Sequence, residues 1–146
     1  MKVLDKNKQT VFKGEVIQGR QIGRTIGFPT ANMRFSSEEE PELPKGVYGV
    51  RVYHKDVPYN GVMNIGTRPT FKGEEPTLSL EVYILDFNRN IYGEHLILDI
   101  LFFIRDEQAF DSIEQLVQQL KNDIDKANKQ FLFAEKENKQ LLLANF

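Results

Sequence analysis

Between Val11 and Arg105, apolar residues occur in short segments that Gly, Pro and Asn interrupt, and no helical period runs through them. This pattern is typical of an antiparallel sheet or barrel rather than of alternating strands and helices. It predicts one strand at 47–53 and a second at 61–65, with a turn at 54–56 between them. The two strands are therefore expected to form a hairpin.

Two later segments predict strands that contribute to the core. In 78–85 the residues alternate between two faces, and we expect the core face to consist of Leu78, Leu80, Val82 and Ile84. Residues 96–104 are almost all apolar, with Asp99 as the exception. A strand of this kind is either buried on both faces or closes a barrel.

The helical pattern begins after Phe110, where apolar residues recur every three or four positions as Ile113, Leu116, Val117, Leu120, Ile124, Ala127 and Phe131. It predicts one amphipathic helix packed on the sheet. Asp111 with Glu114 fits a capping box at its start, and Ser112 is the alternative cap. Residues 132–146 are helix-permissive, so this helix continues or a second one follows.

Length and composition indicate one soluble globular domain over residues 1–146. The chain is 40% hydrophobic and 27% charged, which is the usual balance for such a domain. It contains no Cys, which excludes disulfides, zinc ribbons and thiol catalysis and fits a reducing compartment. We therefore expect a cytoplasmic protein.

Charge and hydropathy argue against two classes of partner. The formal net charge is −2, so the chain lacks the overall basic field on which sequence-independent nucleic-acid binding depends. No apolar run approaches the roughly 20 residues that a spanning helix needs, and the N-terminus lacks the apolar core of a signal peptide. We expect neither nucleic acid nor membrane as a partner.

The glycine-rich segment 14–27 is the first candidate for chemistry, because its four glycines indicate tight turns or close approach to a large ligand. Consecutive exposed N–H groups in such a loop suit phosphate, and Arg24 adds positive charge. The spacing matches neither a Walker A loop nor a dinucleotide fingerprint. By pattern alone, a glycine-rich turn region without a ligand remains the alternative.

The segment that follows carries two neutral oxygen donors. Thr30 and Asn32 lie two residues apart on an extended stretch, so their side chains point to the same side. Mg²⁺ accepts such hard oxygen ligands and takes much of its remaining coordination from water and substrate phosphates. The pair therefore predicts a magnesium site next to the glycine-rich segment.

These motifs occur in order with several others, in the segments 28–32, 45–49, 61–70, 81–87, 91–94 and 105–110. Together they resemble the riboflavin kinase family, including the kinase half of bacterial bifunctional FAD synthetases. The resemblance covers about 14–131, and the helical tail 132–146 extends past it. A nucleotidyltransferase half is missing, so no FAD synthetase activity is expected. Whether the chain is a complete protein or an excised domain stays open.

The resemblance implies a mainly β fold, a six-stranded antiparallel Greek-key β-barrel with a C-terminal α-helix packed against it. It implies transfer of the γ-phosphoryl group of ATP to the ribityl 5′-hydroxyl of riboflavin, with Mg²⁺ as the divalent cation. ATP is then the co-substrate, and riboflavin and ATP are the small-molecule partners. We expect a monomer. A flavin sensor that has lost turnover and a small β-barrel nucleic-acid binder are the alternatives.

The resemblance also implies roles for particular residues. On the nucleotide side it implies phosphate contacts at Gly19 and Arg24, and Mg²⁺ and nucleotide contacts at Thr30 and Asn32. Glu81 falls on the catalytic carboxylate. Arg105 and Phe110 are implied to bind the flavin. Asn64, Arg68 and Thr70 are implied to line the site.

Glu81 also stands out by chemistry, because it interrupts an apolar strand on the face opposite the core. A carboxylate near a hydroxyl can accept its proton during phosphoryl transfer, a contribution of roughly 10²- to 10⁴-fold. The alternative is a cross-strand ion pair. His54, in the predicted turn, and His95, at a strand start, are expected to be surface residues.

Overall fold

The computed structural model describes residues 10–18, 27–36, 40–68 and 77–144. Within them the chain forms six strands and one helix. Their bounds are β1 Val11–Ile17, β2 Ala31–Arg34, β3 Gly46–His54, β4 Val57–Arg68, β5 Thr77–Ile84, β6 His95–Arg105 and α1 Ile113–Ala144.

The strands close into a barrel in the order β1-β2-β5-β4-β3-β6, and every neighbouring pair is antiparallel. Strands β3, β4 and β5 are consecutive in the sequence and lie side by side in that order, and β6 returns to lie beside β3. This arrangement is a Greek key. The predicted fold class, a six-stranded antiparallel barrel followed by a C-terminal helix, is confirmed.

The predicted hairpin is present as β3 and β4, and both strands are longer than the sequence indicated. His54 pairs with Val57, so the connection is the two-residue turn Lys55–Asp56. Both turn residues have positive φ, 48° and 67°. That conformation is the one a type I′ turn requires, and its twist matches the twist of the two strands that it joins.

The barrel interior is filled by every second residue of the strands. In β5 Leu80, Val82 and Ile84 are buried, as the alternation predicted, and Leu78, the fourth residue of the predicted core face, is partly buried. In β6, Leu96, Leu98 and Ile100 are buried whereas Ile97 and Leu101 are more than one-third exposed. Strand β6 is therefore not buried on both faces. It pairs with β1 and β3 and closes the barrel, which is the other alternative for an apolar strand.

The helix α1 runs without interruption to Ala144, so the first helix continues and no second one follows in the part of the chain described. Ser112 is its N-cap, because the Gln115 backbone N–H donates to Ser112 Oγ at 3.2 Å. The barrel belongs to one compact unit that ends at Ala109, and α1 belongs to a second that begins at Phe110. The predicted packing of the helix on the sheet stays a prediction. No described helix has the length and apolarity to cross a membrane.

Gly46 opens β3 in a conformation that side chains rarely adopt, with φ at 153°. A Cβ at this position would lie 2.6 Å from the backbone carbonyl oxygen of Arg105. Because that oxygen belongs to the paired strand β6, it cannot move without disturbing the ladder. Glycine is therefore required here for two independent reasons, backbone strain and a backbone contact.

We expect Gly46→Ala to lower the free energy of unfolding by about 1–3 kcal/mol or more, from strain and the collision with Arg105. The matched control is Gly66→Ala in β4, whose Cβ would approach one atom too closely, the Glu107 Oε1 at 2.6 Å. That group ends an exposed, flexible side chain that can swing away, so the control should lose about 0.5 kcal/mol or less. Denaturant titration measures both, and equal losses would contradict the interpretation.

Candidate active site

Strand pairing brings three of the predicted site residues into one row on the barrel's outer face. Asn32 of β2 pairs with Glu81 of β5, and Glu81 pairs with Asn64 of β4. Paired residues on neighbouring strands lie about 5 Å apart with their side chains on the same face. The Glu81 carboxylate is thus flanked by two carboxamides.

The same row continues towards Arg105. Asn64 pairs with Val47 of β3, and Val47 pairs with Arg105 at the end of β6. Three strand spacings of about 4.8 Å separate Glu81 from Arg105, or roughly 14 Å along the sheet. Arg105 is therefore on the row of Glu81 but beyond direct contact with it. Its Nη1 donates to the Asp106 carbonyl oxygen at 3.1 Å.

Thr30 lies immediately before β2, and its side chain contacts Glu81, the candidate catalytic carboxylate. Its Oγ1 donates to Glu81 Oε2 at 3.4 Å, across 51 residues of sequence. A hydroxyl has one hydrogen to donate and two lone pairs to offer. When the hydrogen points at Glu81, the lone pairs of Thr30 remain available to a cation.

Asn32 contributes a buried oxygen that lacks a partner. The residue is 4% exposed, and its Oδ1 accepts no hydrogen bond from any residue that the structure describes. An unsatisfied buried polar atom costs about 1–3 kcal/mol. A neutral amide oxygen is a ligand that Mg²⁺ accepts, and so is the Thr30 hydroxyl. The donor set therefore fits the magnesium ion that the sequence predicted.

A cavity of about 150 Å³ adjoins Thr30. A cavity of this size is large enough to hold an aromatic ring. The residues after β5, 85–94, provide half of its wall, and strands and the segment before β2 provide the rest. Its lining consists of Val16, Pro29, Thr30, Ala31, Val82, Ile84, Phe87, Asn88, Arg89, Asn90, Ile91 and Tyr92.

The segment 85–94, which we call the cavity loop, is shaped by an aromatic cluster. The Arg89 guanidinium lies 4.8 Å from the centre of the Phe87 ring, and Arg89 Nη2 donates to the Tyr59 hydroxyl at 2.8 Å. Tyr59 in turn meets Phe87 edge to face, with ring centres 5.0 Å apart. Cation–π and edge-to-face contacts each favour one geometry, so they orient Phe87 and Arg89 against the cavity.

His54 is buried rather than on the surface, so the prediction for it was wrong. It is 3% exposed, and its Nε2 lies 2.9 Å from Glu94 Oε1. The residue continues the inward alternation of Val50 and Val52 along β3, and that alternation was the signal available in the sequence. His95 is exposed, as predicted.

The ion pair shifts the pKa of Glu94. The hydrogen bond from His54 lowers the pKa of the Glu94 carboxyl, with a further contribution from Lys55, whose Nζ lies 3.5 Å away. Burial acts in the opposite direction, and the net shift is downward. The folded state therefore favours the ionised carboxylate at the end of the cavity loop.

The structure says less about the other predicted residues. Gly19, Arg24 and Thr70 lie outside the described residues. Arg68 ends β4 opposite Thr77, and only its backbone is described. Phe110 is half-buried and belongs to the unit that contains α1.

Glu107 is a further carboxylate near the row. Its Oε1 lies 2.6 Å from the position that a Cβ of Gly66 would take, and Asn64 Nδ2 lies 3.8 Å from the same point. Glycine at position 66 thus leaves the space that this carboxylate uses. The sequence showed Glu107 within a motif but gave no sign of its approach to β4.

Comparisons with known proteins identify the family of this chain. Residues 6–131 match the family model of riboflavin kinase, or flavokinase. The RNA-binding riboflavin kinase RibR of Bacillus subtilis is 44% identical over 122 residues, which are 84% of this chain and 51% of that protein. The bifunctional riboflavin kinase/FMN adenylyltransferase of Haemophilus influenzae is 44% identical over 115 residues, 78% of this chain and 36% of that protein. The chain thus spans about half or less of the length of these relatives.

Two crystal structures have a similar fold. A macrolide-efflux protein from Streptococcus pneumoniae aligns with a TM-score of 0.73 at 39% identity, over 81% of this chain and 38% of that one. Riboflavin kinase from Trypanosoma brucei aligns with a TM-score of 0.60 at 24% identity, over 84% of this chain and 79% of that one. The second likeness supports the barrel fold alone.

The lowered pKa of Glu94 predicts a dependence of stability on pH. The ionised carboxylate stabilises the fold above its ordinary pKa of 4.5, and this contribution is lost as the pH falls through the lower folded-state value. Glu94→Gln should therefore unfold more readily than the wild type at pH 7, and the difference should shrink below pH 4.5. Thermal unfolding across pH measures it, with Glu137→Gln on the exposed end of α1 as the control. A difference that persists undiminished at low pH would contradict the assignment.

Proposed function

The chain belongs to the riboflavin kinase family, and from this premise we propose that it transfers the γ-phosphoryl group of ATP to the 5′-hydroxyl of riboflavin, giving FMN and ADP. The observation that carries the proposal is the row in which Glu81 lies between Asn32 and Asn64 with the Thr30 hydroxyl against its carboxylate. A proton acceptor is thereby held beside neutral oxygen ligands, which is the combination that phosphoryl transfer to a hydroxyl needs.

Glu81 acts as the general base in this proposal. The ribityl oxygen attacks the γ-phosphorus, its proton passes to the Glu81 carboxylate, and ADP leaves with the electrons of the broken P–O bond. The hydrogen bond from Thr30 orients the carboxylate, and strand β5 holds its backbone. Because phosphoryl transfer requires little covalent chemistry from the protein, positioning of this kind accounts for much of the rate.

Thr30 and Asn32 hold Mg²⁺ in this proposal, through the Thr30 hydroxyl oxygen and the orphaned Asn32 Oδ1. Bound there, the ion supplies neutralisation of the phosphate charge. Both protein ligands are neutral, so the negative charge on the ion's other ligands comes from the triphosphate. Gly19 and Arg24 complete the phosphate site.

The two substrates lie on opposite sides of Glu81. The cavity beside Thr30 takes the nucleotide base, because Thr30 is on the metal and phosphate side of the row. Riboflavin lies towards Asn64 and Arg105, with Arg68 and Thr70 lining the site. The roughly 14 Å between Glu81 and Arg105 leaves room for the ribityl chain between the reacting hydroxyl and the ring system.

We expect the protein to convert riboflavin to FMN in the presence of ATP and Mg²⁺, and to make no FAD, because the family match covers only the kinase portion of the bifunctional relatives. Chromatographic separation of riboflavin, FMN and FAD measures both results. Excess chelator should abolish FMN formation, and added Mg²⁺ should restore it. Full turnover in chelator would contradict the metal site, and the absence of FMN under all conditions would contradict the function.

Glu81→Gln keeps the size of the side chain and a hydrogen-bonding group but removes the proton acceptor. We expect kcat and kcat/KM to fall together by roughly 10²-fold or more, about 2.7 kcal/mol of transition-state stabilisation, with little change in riboflavin affinity. Steady-state kinetics and riboflavin binding measure the two effects. The control is Glu15→Gln, which removes the ion pair between Glu15 and Arg34 on a neighbouring strand.

If the role of Glu81 were limited to an ion pair, Glu81→Gln and Glu15→Gln would have similar effects on kcat and kcat/KM. If the Glu81 variant kept its kcat while KM rose, Glu81 would be a binding residue. The base would then have to be sought elsewhere, and Glu107, which approaches β4 near Asn64, would be the next carboxylate to test.

A further inference from the structure

The cavity loop provides half of the cavity wall, so its position determines the shape of the nucleotide site. Its backbone is fixed near both ends. Leu85 N–H donates to the Asn60 carbonyl oxygen at 2.9 Å, and Gly93 N–H donates to the Val16 carbonyl oxygen at 2.8 Å. The residues that line the cavity lie between these two points, where side-chain contacts shape the loop.

His54 contacts the loop at two places, at the first lining residue and just after the last one. Near its start, the imidazole meets the Phe87 ring edge to face, with ring centres 5.6 Å apart. At its end, Nε2 forms the 2.9 Å bond to Glu94 Oε1. Phe87 lines the cavity, and Glu94 lies two residues after Tyr92, the last lining residue of the loop. One buried side chain thus bridges the two ends of the loop.

The backbone that carries His54 is held in place by the barrel. His54 is the last residue of β3, it pairs with Val57, and the two-residue turn that follows has both residues in the left-handed conformation. The position of the imidazole is therefore set by the barrel and not by the loop. A side chain held in this way can transmit the geometry of the barrel to the loop.

Stability of the core does not require an imidazole at this position. A buried polar ring must keep its hydrogen bonds or lose free energy, whereas an apolar ring of similar size would fill the same space without that requirement. The polar contacts of His54 are directed at Glu94 of the loop. A histidine at position 54 is explained if its hydrogen bond to Glu94 holds the cavity loop in the position that binding requires.

We propose that His54 is a positioning residue for the nucleotide, which holds the cavity loop in its binding shape through Phe87 and Glu94. The inference rests on the proposed function in one respect, that the nucleotide base occupies the cavity beside Thr30. His54 is not among the residues that line the cavity, so it acts through the loop. Its loss should therefore weaken nucleotide binding and leave both the chemical step and riboflavin binding unchanged.

The test is His54→Phe, which retains an aromatic ring against Phe87 and removes the bond to Glu94. We expect the KM for ATP to rise about tenfold, while kcat and the KM for riboflavin stay within about twofold. Calorimetric titration with MgADP should show the same loss of affinity without turnover. Glu94→Gln, which can still accept a hydrogen bond from the imidazole, should show a smaller loss. The matched control is His95→Gln at the exposed histidine.

A His54→Phe protein with unchanged KM for ATP and unchanged MgADP affinity would overturn the inference, and so would equal rises in the KM values of both substrates. If His54→Phe does not fold, Glu94→Gln decides alone, and wild-type MgADP affinity in that variant would then count against the inference. A different result would contradict the proposed function. A wild-type protein that binds MgADP but forms no FMN would contradict the kinase activity, and the MgADP titrations would still test His54.

Discussion

The register of β5 between β2 and β4 is the constraint on which the candidate site depends. Strand residues alternate between faces, so a slip of one position would turn Glu81 into the barrel and both Leu80 and Val82 out into water. Leu80 and Val82 are almost fully buried, and their burial stabilises only one of the two registers. The hydrophobic interior therefore fixes the row of polar groups on the outside.

Closure of the barrel extends this constraint to the whole row. Each strand has a partner on both sides, so none can shift without breaking two ladders of hydrogen bonds. The carboxylate and carboxamides of Glu81, Asn32 and Asn64 accordingly project from strands and not from loops. Rigid elements of this kind hold a reactive group more accurately than a loop does, which suits a reaction that depends on positioning.

The proposed nucleotide cavity depends on a different principle, because the cavity loop provides half of its wall. A loop can adapt to a ligand, but it loses conformational entropy when binding orders it. Contacts that order the loop before binding therefore raise affinity. The aromatic cluster around Phe87 and the bridge formed by His54 are contacts of this type. The same barrel thus provides fixed groups for chemistry and a supported loop for binding.

Local pattern predicted β3, β4, β5, β6 and α1 and much of the core, whereas β1 and β2 were not predicted as separate strands and the count of six came from the family resemblance. Period-two alternation identified β5 and its buried face, three- and four-residue spacing identified α1, and the ordered motifs indicated the family and its fold. These features depend on residues that are close in sequence, where period and turn chemistry act directly. The contact of Thr30 with Glu81, the carboxamides on either side of that carboxylate and the contact of His54 with Glu94 came only from the tertiary structure. Thr30 and Glu81 lie 51 residues apart, and their approach depends on which strands pair and in which register. That choice is made by closing the barrel over one common core, which no local segment of the sequence encodes by itself.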